Sequence, residues 1–265
     1  MLSPSSFFEL SKFTHNSLFP EKSTVWEALS QLKSYMTQYN YPKLNHSLYN
    51  SGFPLASPLL WYEGKLIELR DKTIEWGDVC KGNMKVYSGE EELIGASVLM
   101  AGVTLMGDNI SIGKGCLIES GAMIKGHTII GDNCEIRQGA YLRGNTLTGD
   151  RCVLGHCTEI KHSILLNDAK AGHFNYLGDS ILGNNTNLGA GTKFANLRFL
   201  PGNVLIRTPE QRIDSGLRKF GAILGDNTQT GCNSVTSPGT VFAKRCILMP
   251  NTTAPSGYFP KGSKV

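Results

Sequence analysis

His173 stands in the segment Lys170-Ala171-Gly172-His173-Phe174-Asn175-Tyr176-Leu177-Gly178-Asp179, with a phenol three residues downstream at Tyr176. Imidazole titrates near neutrality, so a histidine at a crevice can take a proton from an amine attacking an acyl group. Other histidines offer a rival chemistry. His156 and His162 stand six residues apart with His127 upstream, and imidazoles on a β scaffold can hold zinc. That spacing gives both the same repeat position on successive faces, so they should point different ways. Cys116, Cys134 and Cys152 recur every 18 residues and are read as small apolar core residues rather than ligands. Residues 196–220 carry Arg198, Arg207, Arg212, Arg218 and Lys219 against only Glu210 and Asp214, an excess of positive charge suited to anionic small molecules.

The scaffold that must position these groups is a six-residue repeat. Every sixth residue from Ile94 runs Ile94, Met100, Met106, Ile112, Ile118, Ile124, Ile130, Ile136, Leu142, Thr148, Leu154, Ile160, Leu166, with Thr148 alone neither aliphatic nor Met. This period fits neither a 3.6-residue helix nor a long strand, and it does fit a β-solenoid whose short strands each point one aliphatic residue inward. The fourth residue after each aliphatic position is small or β-branched, as in Thr104, Cys116, Ala122, Thr128, Cys134, Ala140 and Cys152. Three hexads make an 18-residue triangular coil, which stacks the cysteines over one another. Gly172 falls where the series requires an aliphatic residue, so the register is expected to slip there, beside His173. The pattern breaks at 196–220, resumes at Leu224, and the interruption is read as a loop projecting from the solenoid.

The expected organisation is a mainly β chain with a mixed cap at 1–93, the solenoid at 94–256 with its basic loop at 196–220, and a tail at 257–265. Thr24-x-x-Glu27 resembles a capping box, and apolar residues at helical spacing then predict a helix over 24–39. Residues 53–93 should form a few strands that cover the exposed edge of the first coil. Glycine numbers 30 of 265 residues and charged residues make up 18%, the profile of a turn-rich β protein. The formal net charge of +4 does not make a nucleic-acid binder. No apolar run is long enough for a membrane span, and the first residues lack a secretory signal, so a cytoplasmic address is expected. Seven cysteines without a CxxC argue against a disulfide scaffold or zinc ribbon.

Lys170 through Asp179, together with Ala140-Tyr141-Leu142-Arg143, Thr158-Glu159-Ile160-Lys161 and Asn187-Leu188-Gly189-Ala190-Gly191-Thr192, resembles the acetyltransferase domain of the bifunctional N-acetylglucosamine-1-phosphate uridylyltransferase/glucosamine-1-phosphate acetyltransferases. Ala195-Asn196-Leu197-Arg198-Phe199 and Ser215-Gly216-Leu217-Arg218-Lys219-Phe220-Gly221-Ala222 bring it nearer the archaeal sugar-1-phosphate nucleotidylyltransferase/acetyltransferases. The resemblance extends over roughly 94–256 and implies a left-handed parallel β-helix forming a homotrimer with sites between subunits. It implies that His173 is the general base, that Arg143 and Lys161 clamp a sugar phosphate, and that Tyr176, Asn187 and Asn196 hold the sugar. Ala190, Lys219, Gly231 and Cys232 are implied to lie near acetyl-CoA. Bacterial members tend to have Ser at the place of Cys232 and differ at Leu197-Arg198.

These residues together point to an acetyl-CoA-dependent N-acetyltransferase acting on glucosamine 1-phosphate or a similar amino-sugar phosphate, in UDP-N-acetylglucosamine supply for the cell envelope. No metal is expected. Residues 1–93 contain no GxG, so uridylyl transfer by this chain is not expected, and a separate nucleotidyltransferase is a conceivable partner. Two rivals stand beside this reading: a non-catalytic sugar-nucleotide-binding regulatory protein, and a zinc hydratase of the γ type.

Overall fold

The computed structural model describes residues 2–265. It is a parallel β-solenoid whose short strands fall on three faces. The first face runs from Ser97–Leu99 to Ile247–Leu248, the second from Thr104–Met106 to Thr253–Ala254, and the third from Ile110–Ile112 to Gly257–Phe259. Each face has eight coil strands; the first gains two more from the antiparallel pair Leu59–Tyr62 and Lys65–Glu68, which makes ten.

Ile118, Ile124, Ile130, Ile136, Leu142, Leu154 and Ile160 line one continuous core, as the hexad series requires. The four buried cysteines belong to its corners. The thiols of Cys116, Cys134, Cys152 and Cys246 lie 3.0, 3.2, 3.1 and 3.2 Å from the carbonyls of Gly131, Gly149, Leu166 and Pro260. A small side chain with a weak donor fits there, since the adjoining turn carbonyl needs a partner.

The register slips two corners earlier than Gly172. Tyr141 pairs with Glu159, a step of 18, whereas Thr146 pairs with Ser163, a step of 17, so the lost residue lies in the corner at His162. Ala171 therefore takes the inward place over Leu154, and Gly172 stacks on Gly155. A Cβ added to Gly155 would stand 1.6 Å from the Gly172 carbonyl oxygen, so only glycine is tolerated at Gly155.

Residues before 94 do two jobs. Leu59, Trp61 and Leu66 close the open end of the core, as expected of an edge cover. Residues 2–39 instead lie along the flat third face. Phe7, Phe13, Trp26, Leu29, Leu32 and Met36 share an apolar cluster with Ile129, Leu147, Ile164, Ile181, Ile223 and Val241 from that face. Polar fastenings hold this layer: His162 Nε2 donates to the Leu29 carbonyl at 3.0 Å, and Asn167 Nδ2 to the Lys12 carbonyl at 3.0 Å. The helix is Glu27–Gln38, and Trp26, not Thr24, precedes it without a side-chain cap. Burial of Trp26 against the third face sets that start, so the expected capping box is not formed.

The segment 257–265 is not a free tail. Gly257–Phe259 adds a strand to the third face, and Phe259 and Val265 pack on the last of the core. The 196–220 interruption leaves the solenoid between its second and third faces and folds into the hairpin Leu205–Arg207 with Arg212–Asp214. Among the described residues, no helix is long and apolar enough to cross a membrane.

Candidate functional site

The corner between the first and second faces is a ridge of identical turns. Each turn places one residue in the left-handed region: Gly139 (φ 72°), Cys157 (49°), Phe174 (53°), Gly191 (75°) and Asn233 (56°). The residue just before it offers its carbonyl to the next coil. Phe174 N donates to His156 O at 2.8 Å, Gly191 N to His173 O at 2.9 Å, and Asn233 N to Ala190 O at 2.8 Å. Gln138, His156, His173, Ala190 and Cys232 therefore succeed one another along the ridge at the inter-strand pitch of roughly 4.8 Å. The His173 side chain is exposed on this ridge, between His156 and Ala190.

Phe174 is a bulky residue in a conformation that favours glycine, at a cost of about 1–2 kcal/mol. Asn175 holds the turn in place. Its side chain accepts from His173 N at 3.2 Å and donates to Gly189 O at 2.8 Å, while its backbone N–H donates to Thr158 Oγ1 at 3.2 Å. Asn175 is buried, and it connects the coil of His173 to those on either side. The sequence reading missed it, although the inward series of small residues, moved by one place after the slip, puts a lone Asn there.

The second face carries the cations. Arg143 and Lys161 are vertical neighbours at the edge away from His173, Arg143 N donating to Ile160 O at 2.8 Å beneath Lys161. Arg143 is ion-paired with Glu159 at 2.7 Å, and that carboxylate holds its guanidinium above the usual arginine range. Lys161 pairs at 3.0 Å with Asp179, a buried carboxylate that also accepts from the Asn196 amide. One coil above Lys161 the face has no side chain, at Gly178. A Cβ there would stand 2.8 Å from the Tyr176 hydroxyl and 2.4 Å from Asn196 Nδ2. Lys161, Tyr176, Asp179 and Asn196 thus converge, and Asp179 is a second member that the sequence reading did not find.

The expected site residues fall into four places. His173, Ala190, Gly231 and Cys232 share the ridge. Arg143, Lys161, Tyr176 and Asn196 share the second face. Asn187 stands on the first face between Lys170 and Gln229. Lys219 is at the root of the inserted loop, bridged to Leu197 and so across the second face from Ala190 and Cys232. Within one chain the imidazole and the Lys161 cluster are a face apart, about 10 Å for a three-residue strand.

His156 and His162 occupy different corners and bond different carbonyls, Gln138 O at 3.1 Å and Leu29 O at 3.0 Å. His127 is hydrogen-bonded to the Asn109 amide at 2.8 Å. Within one chain the six-residue pair therefore does not converge on one point.

Residues 124–213 match a family profile described as the GMPPB C-terminal domain. A bifunctional sugar-1-phosphate nucleotidylyltransferase/acetyltransferase of Sulfurisphaera tokodaii is 38% identical over 97 residues, which is 37% of this chain and 24% of that protein. The bifunctional protein GlmU of Methanococcus aeolicus is 44% identical over 86 residues, 32% of this chain and 21% of that protein. This chain thus aligns with less than a quarter of the length of either relative. Among solved structures, a perosamine N-acetyltransferase mutant of Caulobacter crescentus, in complex with CoA and GDP-perosamine, aligns with a TM-score of 0.32 at 13% identity, covering 58% of this chain and 53% of that one. Over part of its solenoid the chain is similar to the bifunctional sugar-1-phosphate nucleotidylyltransferase/acetyltransferases, as the residues around His173 imply.

Proposed function

We propose that this chain is an acetyl-CoA-dependent N-acetyltransferase whose acceptor is glucosamine 1-phosphate or a similar amino-sugar phosphate. The observation that carries the proposal is the ridge: an exposed imidazole on a rigidly held turn, beside a face bearing Arg143 and Lys161. His173 takes a proton from the acceptor amine as its nitrogen attacks the thioester carbonyl, and the coenzyme thiol leaves as the tetrahedral intermediate collapses. Arg143 and Lys161 supply charge-assisted hydrogen bonds to the phosphate, which competes with Glu159 and Asp179 for them. Tyr176 and Asn196 orient the sugar. Ala190, Gly231 and Cys232 continue the ridge above His173, leaving a track with little side-chain bulk for the pantetheine arm.

His173 and Asn187 lie apart from the cation cluster, and Lys219 lies across the second face from Ala190. A homotrimer that sets one protomer's first face against its neighbour's second face gathers these groups at a single cleft. A separate nucleotidyltransferase is then the partner that uses the acetylated sugar phosphate. The test is thiol release from acetyl-CoA with a panel of amino-sugar phosphates. Release that requires both the amine and the phosphate supports the proposal. No release with any amine, together with tight binding of a sugar nucleotide, favours the regulatory reading instead.

A further inference from the structure

A surface groove lies away from the ridge, between the inserted loop and the last coils of the second face. It has a volume of about 510 Å³, within the usual range for small-molecule sites. One wall is the hairpin, in which Arg207 stands directly opposite Arg212. Like charges directly opposite on paired strands are destabilising, yet among the described residues neither guanidinium has a carboxylate at ion-pair distance. The other wall is the solenoid, where the apolar Val235 and Pro238 flank Thr236 and Ser237, and Leu205 adds apolar surface on the hairpin side. Phe199 stands at the rim with its ring fully exposed.

Two unneutralised forks beside an apolar wall and a free aromatic ring match a ligand that is anionic at one end and flat at the other. We propose that this groove binds a nucleoside phosphate, its phosphate bridging Arg207 and Arg212 and its base lying on Phe199 and Pro238. A bound phosphate neutralises the repulsion that the empty hairpin carries. The nucleotide can be the nucleoside end of a thioester donor or part of a sugar nucleotide. In the first case the assignment rests on the proposed acyl transfer, in the second it does not, and none of its residues belongs to the ridge.

The test is calorimetric titration of the full chain with adenosine 3′,5′-bisphosphate and, separately, with uridine diphosphate, at low and high salt. We expect at least one to bind, with an affinity that falls as salt rises; which of them binds identifies the source. The double variant Arg207→Gln/Arg212→Gln should weaken binding about tenfold or more. Phe199→Ser, at a side chain on which the fold does not depend, should weaken it by about tenfold. His173→Ala should leave it unchanged, so loss of acetyl transfer and loss of this site are separate results. Binding of neither nucleotide, or binding that both sets of substitutions leave intact, overturns the proposal. So does a change of oligomeric state in Phe199→Ser without nucleotide binding to the wild type, which would make the groove a contact between copies.

Discussion

Two corners of the prism follow opposite rules. From the first face to the second, successive strands begin six residues apart in every coil after the first, as in Leu117 to Met123, Glu135 to Tyr141, Val153 to Glu159 and Lys170 to Tyr176. From the second face to the third the step changes along the chain. It is six from Thr104 to Ile110, five from Tyr141 to Thr146, four from Glu159 to Ser163, and 29 from Lys193 to Ala222. The constant corner is the ridge of His173 and Ala190, where each carbonyl must meet the next coil's N–H. The variable corner faces solvent or the N-terminal layer and tolerates loops of different length. The proposed acetyl transfer sits on the first, and the proposed nucleotide groove grows from the second.

One inserted residue breaks this comparison most sharply. A glycine added between Phe174 and Asn175 displaces Asn175 from the buried place where it joins three coils, and we expect the largest loss of stability here. The same glycine added after Asn145, in the variable corner, should cost about 1 kcal/mol, because the corner two coils below it, from Thr104 to Ile110, already has one more residue. Equal effects in thermal denaturation would contradict the distinction. Next in size is Asn175→Ala. It leaves the His173 N–H without its side-chain acceptor, while the Gly189 carbonyl keeps Thr192 as a donor, and should cost about 1–2 kcal/mol in chemical denaturation. If the turn then reorients His173, acetyl transfer falls as well.

The N-terminal layer supplies a further effect, which depends on pH. Burial lowers the pKa of His15 to about 4, and its Nδ1 lies 2.7 Å from the Tyr35 hydroxyl. The unfolded chain binds this proton near pH 6.5 and the folded chain does not, so stability is full above pH 6.5 and is lost as pH falls towards 4. The upper bound is about 3 kcal/mol. His15→Gln should flatten this slope in thermal midpoints taken from pH 7 to 4.5. An unchanged slope would place the acid sensitivity elsewhere.

Much of the solenoid is legible in the hexads, because an inward position in a narrow prism accepts only aliphatic or small side chains. The slip is harder to place. A corner that loses a residue leaves aliphatic neighbours, Leu165 and Leu166, and either fits the series until the pairing with Thr148 is known. The location of the N-terminal layer had a signal that the hexads obscured. Third-face strands carry paired apolar residues, Ile129-Ile130, Ile223-Leu224 and Val241-Phe242, which is the pattern of strands buried on both sides. At the site, the departure from the hexads at Gly172 and the resemblance together supplied His173, and the resemblance supplied the second-face cations. Asn175 and Asp179 escaped notice because their importance lies in partners 14 and 18 residues away, Gly189 and Lys161.

The most direct test of the account is the rate of thiol release from acetyl-CoA and glucosamine 1-phosphate by His173→Ala, measured beside its thermal midpoint. The account predicts a fall of about a hundredfold or more with the midpoint unchanged, since the side chain is exposed and its turn is held by the backbone and Asn175. A variant that transfers acetyl at the full rate would contradict it.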